Sequence, residues 1–156
     1  MLDLQQYMKK VDVSKKEYVD RWIDEGLIPG ATRKNGIYSF PDSARRPYCD
    51  GHVNPNLPAS KIRAHIIKAV VSRRHISAST FFMSNGEFEE MIKDLSEAEL
   101  VRVRIEDSIT YYDSTSKADT YKGKKLQFIQ KSLETLAKGV AEGVATALIN
   151  RLIPQQ

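Results

Sequence analysis

The segment Thr32-Arg33-Lys34-Asn35-Gly36-Ile37-Tyr38-Ser39-Phe40 constrains this chain more than any other. Asn-Gly supplies two residues that tolerate positive φ, which a two-residue turn between antiparallel strands demands. The flanks therefore pair as a hairpin, with Arg33 and Lys34 at its tip. Directly before it, residues 15–25 place Tyr18, Val19, Trp22 and Ile23 on one side at helical spacing. Gly26 suits the left-handed position that ends a helix, Leu27 and Ile28 can tuck beneath it, and Pro29-Gly30 marks a turn. Upstream, Leu2, Leu4, Gln5 and Met8 predict a short amphipathic helix, with Asp3 as cap or first-turn acid and Ser14 capping the next helix. The order is helix, tight turn, helix, hairpin, all within about forty residues.

The run RRPYCDGHVNPNLPAS, rich in Pro, Asn, Gly and Asp, predicts a linker or an irregular crossing. A second cycle then starts, with Ala59-Ser60 as the expected cap. Ile62, Ile66, Ile67, Val70 and Val71 form an apolar helical stripe. Residues 77–84 predict a short helix or turn burying Phe81, Phe82 and Met83, and Asn85-Gly86 predicts a turn. Phe88, Met91, Ile92, Leu95 and Leu100 give a further helix. Val-Arg-Val-Arg-Ile at 101–105 alternates as a strand should, and Ile109–Tyr112 pairs with it. A polar stretch, 114–123, precedes a last helix whose Leu126, Ile129, Leu133, Leu136 and Val140 step by three and four, continuing to Val144.

At 156 residues the chain is one ordinary domain or two very small ones. A 41% hydrophobic and 28% charged composition fits neither a disordered chain nor a membrane protein. No apolar run reaches the roughly 18 residues of a transmembrane helix, the N-terminus has no secretory pattern, and one cysteine precludes an internal disulfide framework. The expectation is a cytoplasmic, nucleoid-associated protein with no membrane partner. Net charge is +4, compatible with a nucleic-acid partner. No segment is a polybasic arm, so contact with phosphate would depend on local placement of charge.

Catalytic patterns are missing from the sequence: no Gly-rich phosphate loop, no HExxH, no CxxC, no nucleophile elbow. Cys49 and His52 form a lone C-x-x-H, with His65 and His75 downstream; the plain reading is a loop cysteine and surface histidines. The expectation is a non-enzyme with no metal and no cofactor.

The run VSKKEYVDRWIDEGLIPGATRKNGIYSFP resembles the winged helix-turn-helix of MerR-like regulators and of excisionases. The resemblance rests on Ser14, on Arg21-Trp22-Ile23, on the Glu25-Gly26-Leu27-Ile28-Pro29 turn and on the basic hairpin ending Tyr38-Ser39-Phe40-Pro41. It covers about residues 1–47. The long coiled-coil helix and effector domain of full-length MerR proteins do not follow, and no cysteine set for metal sensing is present. The resemblance implies that the second helix enters the DNA major groove and that the hairpin is a wing on flanking phosphates. The residue types agree: Lys15, Lys16, Tyr18 and Arg21 supply long donors on the helix, and Arg33 and Lys34 sit on the wing. The acids Glu17, Asp20, Asp24 and Glu25 are expected to face solvent or to pair with Lys and Arg.

The second cycle resembles a winged helix too, but its candidate recognition helix carries Glu87, Glu89, Glu90, Asp94, Glu97 and Glu99 against Lys93 alone. Such a helix should repel a duplex and suit a protein partner instead. Arg73, Arg74 and His75, or Arg102 and Arg104, are candidates for backbone contact or ordinary surface groups.

The expected fold class is thus mainly α with small β-hairpin wings (α+β): a winged helix-turn-helix at 1–47, a linker at 48–59, a second winged-helix-like module at 60–116 and a C-terminal helix at 117–156. Leu126, Ile129, Leu133, Leu136, Val140 and Val144 are the candidate seam for self-association into a dimer or higher oligomer. The same helix could instead complete the second core or lie on a membrane surface. The expected function is sequence-specific binding of double-stranded DNA, as a transcriptional regulator or an accessory factor of a bacterial mobile element. The alternative is a protein-interaction adaptor built on winged helices.

Overall fold

The computed structural model describes residues 1–141, with side chains through Thr135. It is a mixed structure of helices and two small antiparallel hairpins, organised around two hydrophobic clusters.

The first cluster gathers Tyr7, Val11, Val13, Val19, Trp22, Ile28, Phe40 and Ala44. Helix α1, Leu4–Lys10, starts at a reciprocal cap. Asp3 accepts from the Gln6 amide at 2.8 Å, and the Gln6 side chain accepts from the Asp3 amide at 2.9 Å. Helix α2, Lys16–Asp24, begins differently from the sequence expectation: Lys15 holds the cap position, and no side chain caps the helix. Ser14 stays outside because the chain before it is pinned by a bond from the Val13 amide to the Met8 carbonyl, 2.9 Å. The end of α2 follows the expectation. Gly26 takes φ +69°, its amide bonds the Ile23 carbonyl at 3.1 Å, and the Leu27 amide reaches the Trp22 carbonyl at 2.8 Å.

Strands β1, Thr32–Lys34, and β2, Ile37–Ser39, pair with Arg33 opposite Tyr38, across Asn35 and Gly36, both at positive φ. Leu2 extends the edge by exchanging two backbone bonds with Phe40. Tyr7 and Phe40 then stack, centroids 4.2 Å apart, and lock α1 to the hairpin.

The second cluster is built on α3, Ala59–Val71, whose Ala64, Ile66, Ile67, Ala69 and Val70 are fully buried. Pro58, rather than Ala59-Ser60, holds its cap position. A 3₁₀ turn at Ala78–Phe81 buries Phe81 as expected, but Phe82 takes a left-handed φ of 57° and is 60% exposed. Asn85-Gly86 is not a turn: Ser84 accepts from the Glu87 amide at 3.2 Å and draws both residues into the first turn of α4, Asn85–Glu97. Here the Ser-x-x-Glu cap outweighs the turn tendency of Asn-Gly.

Strands β3, Val101–Glu106, and β4, Ile109–Ser114, pair along six residues around Asp107 and Ser108. The polar stretch after them holds a short helix, α5, Ser116–Asp119, with Ala118 and Tyr121 buried. Helix α6, Leu126–Ala141, lies on α3 and buries Ile129 and Leu133 in the second cluster, with Leu126 half-buried beside them. Of the expected seam, Ile129 and Leu133 are thus occupied within the chain, in the core-completing role. The Leu136 and Val140 side chains and Val144 lie outside the described residues.

The segment between the units is an irregular crossing rather than a loose tether. Tyr48 belongs to the second cluster, and Pro47 forms a parallel bridge with His75. The His75 amide bonds the Arg46 carbonyl, and the Tyr48 amide bonds the His75 carbonyl, both at 3.0 Å. Tyr7 of the first unit donates to the Arg45 carbonyl at 2.8 Å. Arg45 continues to Asp113 on β4 at 2.6 Å, and Asp113 also accepts from Arg104 at 2.9 Å. Both guanidiniums sit over the buried Tyr111 ring, at 5.3 and 4.6 Å, and the Tyr111 hydroxyl meets Ser43. Gly30 completes the joint from the other side. A Cβ there would lie 2.7 Å from Ile109 and 2.8 Å from Pro41, so only glycine allows this approach.

Candidate nucleic-acid interface

Helix α2 has two polar rows, and they behave differently. Lys16, Asp20 and Asp24 follow at intervals of four and so share the row that faces the hairpin. Arg33 of β1 reaches across and binds both acids, Asp20 at 2.9 Å and Asp24 at 2.5 Å. Tyr38 of β2 donates to the same Asp20 carboxylate at 2.5 Å, and the Lys16 ammonium lies over the Tyr38 ring at 5.6 Å. The Tyr38 hydroxyl and Arg33 hold the Asp20 carboxyl below its usual range, and Asp24 and Asp20 raise Arg33. The wing cation expected to meet phosphate is therefore a clasp between hairpin and helix.

The second row, Lys15, Tyr18 and Arg21, steps by three along the outer face. All three are exposed. The Tyr18 ring, 42% exposed, lies between the Lys15 ammonium at 5.9 Å and the Arg21 guanidinium at 5.6 Å. Both cations are within cation–π distance of the one ring. Tyr18 was expected on the apolar side with Val19 and Trp22; only those two are buried, and Ile23 is half-buried. None of Lys15, Lys16, Arg21 and Lys34 has a carboxylate within 4.0 Å among the described residues. Lys34 stands at the hairpin tip opposite Ile37, which is 73% exposed.

The acids of α4 are displayed rather than clasped. Glu87, Glu89, Glu90, Asp94 and Glu97 of α4 are exposed, and only Asp94 has a cation near, Arg63 at 4.0 Å. Glu99, past the end of the helix, pairs with Lys117. The strand beside α4 adds apolar surface: Val103 is 44% and Ile105 71% exposed. Arg104 points away, to Tyr111 and Asp113.

The histidines differ from the surface groups expected. His65 and His75 are buried, at 0% and 4% exposure, while His52 and Cys49 are exposed. His65 Nδ1 meets the Tyr48 hydroxyl at 2.7 Å, and burial lowers its pKa. His75 Nε2 accepts from the Arg45 amide at 2.7 Å; burial, with Arg45 beside it, pushes its pKa down to about 4. Among the described residues no group of three His, Cys, Asp or Glu side chains could hold a metal ion. Nor is any helix among them long and apolar enough to cross a membrane.

No family model, no curated protein and no solved structure matches the chain.

Proposed function

We propose that the chain binds double-stranded DNA through α2 and the β1–β2 hairpin, as a tandem winged helix-turn-helix protein that regulates transcription or assists excision, partition or replication control of a bacterial mobile element. The observation that carries this reading is the sorting of charge on α2. Its Asp20 and Asp24 are turned onto the hairpin and paired with Arg33, and its outer row presents Lys15, Tyr18 and Arg21 to solvent, with Glu17 also exposed. Lys15, Lys16 and Arg21 are long donors suited to base edges and phosphates of a major groove, with Tyr18 among them. Lys34 at the hairpin tip is placed for a flanking phosphate. A second copy of the chain on the same duplex would raise affinity.

Fluorescence anisotropy with duplexes selected from the source genome tests this. Lys15→Ala with Arg21→Ala should weaken binding roughly 100-fold, at about 1–3 kcal/mol for each lost contact. Wild-type affinity in that variant would overturn the assignment of the surface.

A second reading, a protein-interaction adaptor, is favoured by α4 with its uncovered acids beside the exposed Val103 and Ile105. Absence of any duplex binding at low salt would favour it over the first.

A further inference from the structure

Five arginines among the described residues are half-buried: Arg45, Arg46, Arg63, Arg74 and Arg104. Three of them have carboxylate partners, Asp113 for Arg45 and Arg104 and Asp94 for Arg63. Arg46 and Arg74 have none within 4.0 Å among the described residues. They are also neighbours. The parallel bridge between Pro47 and His75, with the His75 amide on the Arg46 carbonyl at 3.0 Å, brings the backbone of Arg46 next to that of Arg74. Both act on the same two groups, the Tyr7 hydroxyl and the Cys49 thiol.

Two adjacent, partly desolvated cations without a carboxylate partner repel each other, and a bound anion relieves that repulsion. Burial and then Arg46 lower the Arg74 pKa, the direction expected of an unmatched pair. Local structure fixes both. The Arg46 guanidinium lies over Trp22 at 5.7 Å and donates to the Val11 carbonyl at 3.5 Å, leaving most of its donors available. Arg74 follows Arg73, which takes φ 55° to end α3, and its amide bonds the Ala69 carbonyl at 3.0 Å. The Trp22 ring under Arg46 belongs to α2 and follows Arg21 in sequence, so the pair borders that helix; Glu25, the residue after α2, is an exposed acid near this end.

We propose that Arg46 and Arg74, with Arg21 at their edge, form a phosphate-binding cleft at the joint between the two units that takes the DNA backbone beside the α2 footprint. This rests on the reading of α2 as the DNA-binding helix. It makes the second unit a contributor to backbone contact through the end of α3 rather than through α4. Duplex phosphate is favoured over a small phosphate because Arg46 packs on Trp22 of α2, the helix that also carries the exposed Tyr18 and Arg21.

The test is the salt dependence of duplex affinity, read by anisotropy for wild type, Arg46→Gln/Arg74→Gln and Arg46→Lys/Arg74→Lys. Each phosphate contact contributes about 0.9 to the slope of log affinity against log salt. The Gln pair should lower that slope by about 2 and the Lys pair should keep it. Arg74→Gln alone, which removes no hydrogen bond among the described residues, should lower it by about 1 and serves if the double variant fails to fold. Wild-type binding with an unchanged slope in Arg74→Gln overturns the cleft and leaves α2 standing. If wild type binds no duplex at low salt, the α2 reading fails instead. Titration with inorganic phosphate, followed on the arginine Nε resonances, then decides the cleft: a response of Arg46 and Arg74 supports an anion site, and silence overturns it.

Discussion

Helices α2 and α4 hold equivalent places, each the last helix before a hairpin, and they present opposite surfaces. On α2 the hairpin supplies Arg33, which covers the two acids on the facing row and leaves the cationic row outside. At α4 the hairpin does the reverse. Arg104 sits on the far face of β3, pairs with Asp113 and Tyr111, and leaves Val103 and Ile105 beside a helix whose acids stay uncovered. The lesson is that helix composition alone does not set the charge of such a surface. The hairpin register decides which helix charges are neutralised, because alternate strand residues face opposite sides.

The comparison breaks most readily at the two cores. Trp22→Ala and Phe88→Ala each remove a buried aromatic, and each should cost about 3–5 kcal/mol in urea unfolding. Because the crossing ties the units together, both substitutions are expected to shift one shared transition. Two independent transitions would show that the joint carries no coupling.

The joint can also be probed by pH. The folded His75 pKa of about 4 lies below its ordinary 6.5, so the folded state binds fewer protons than the unfolded state between those values. The contribution is fully present above pH 6.5 and is lost as pH falls towards 4. By then the loss is on the order of 3 kcal/mol, at about 1.4 kcal/mol for each pKa unit. Buried His65 is shifted in the same direction. Unfolding free energies at pH 7 and pH 5 should therefore differ, and His75→Asn should flatten the dependence.

Gly30 and Gly26 sharpen the comparison at lower cost. Both have positive φ, but only Gly30 faces Ile109 and Pro41; a Cβ at Gly26 meets nothing within 4 Å. Gly26→Ala should cost about 1 kcal/mol, and Gly30→Ala should cost more, with part of the excess relieved in an Ile109→Ala background that leaves Pro41 in place. Last, Arg33→Gln should weaken duplex binding about tenfold, near 1.4 kcal/mol, because it uncovers Asp20 and Asp24. Lys34→Gln should cost less. Equal losses would mean that Arg33 acts as a plain phosphate contact.

The features legible in the sequence are those set by near neighbours. Asn35-Gly36 allows only a tight hairpin turn, Gly26 ends α2 through bonds within six residues, and the stripe from Ile62 to Val70 is buried as its spacing requires. Errors arose where two local signals competed, as at Ser84-Asn85-Gly86, where the cap set the outcome. The clasp of Arg33 was half legible: Asp20 and Asp24 sit four apart, but which face met the hairpin depended on packing Trp22 inward. Arg46 and Arg74 stand 28 positions apart in sequence, and only the bridge at Pro47 and His75 brings them together. The tail seam was ambiguous for the same reason, since heptad spacing serves a partner copy and the chain's own α3 equally well.

Tyr111, under the Arg45 and Arg104 guanidiniums that share Asp113, ties β4 to the segment that joins the two units. Its consequence is one of bearing. With α2 seated in a groove, the acidic face of α4 would be carried at one fixed azimuth around the duplex. A protein docked there would be aimed at a particular side of the DNA instead of merely being tethered nearby.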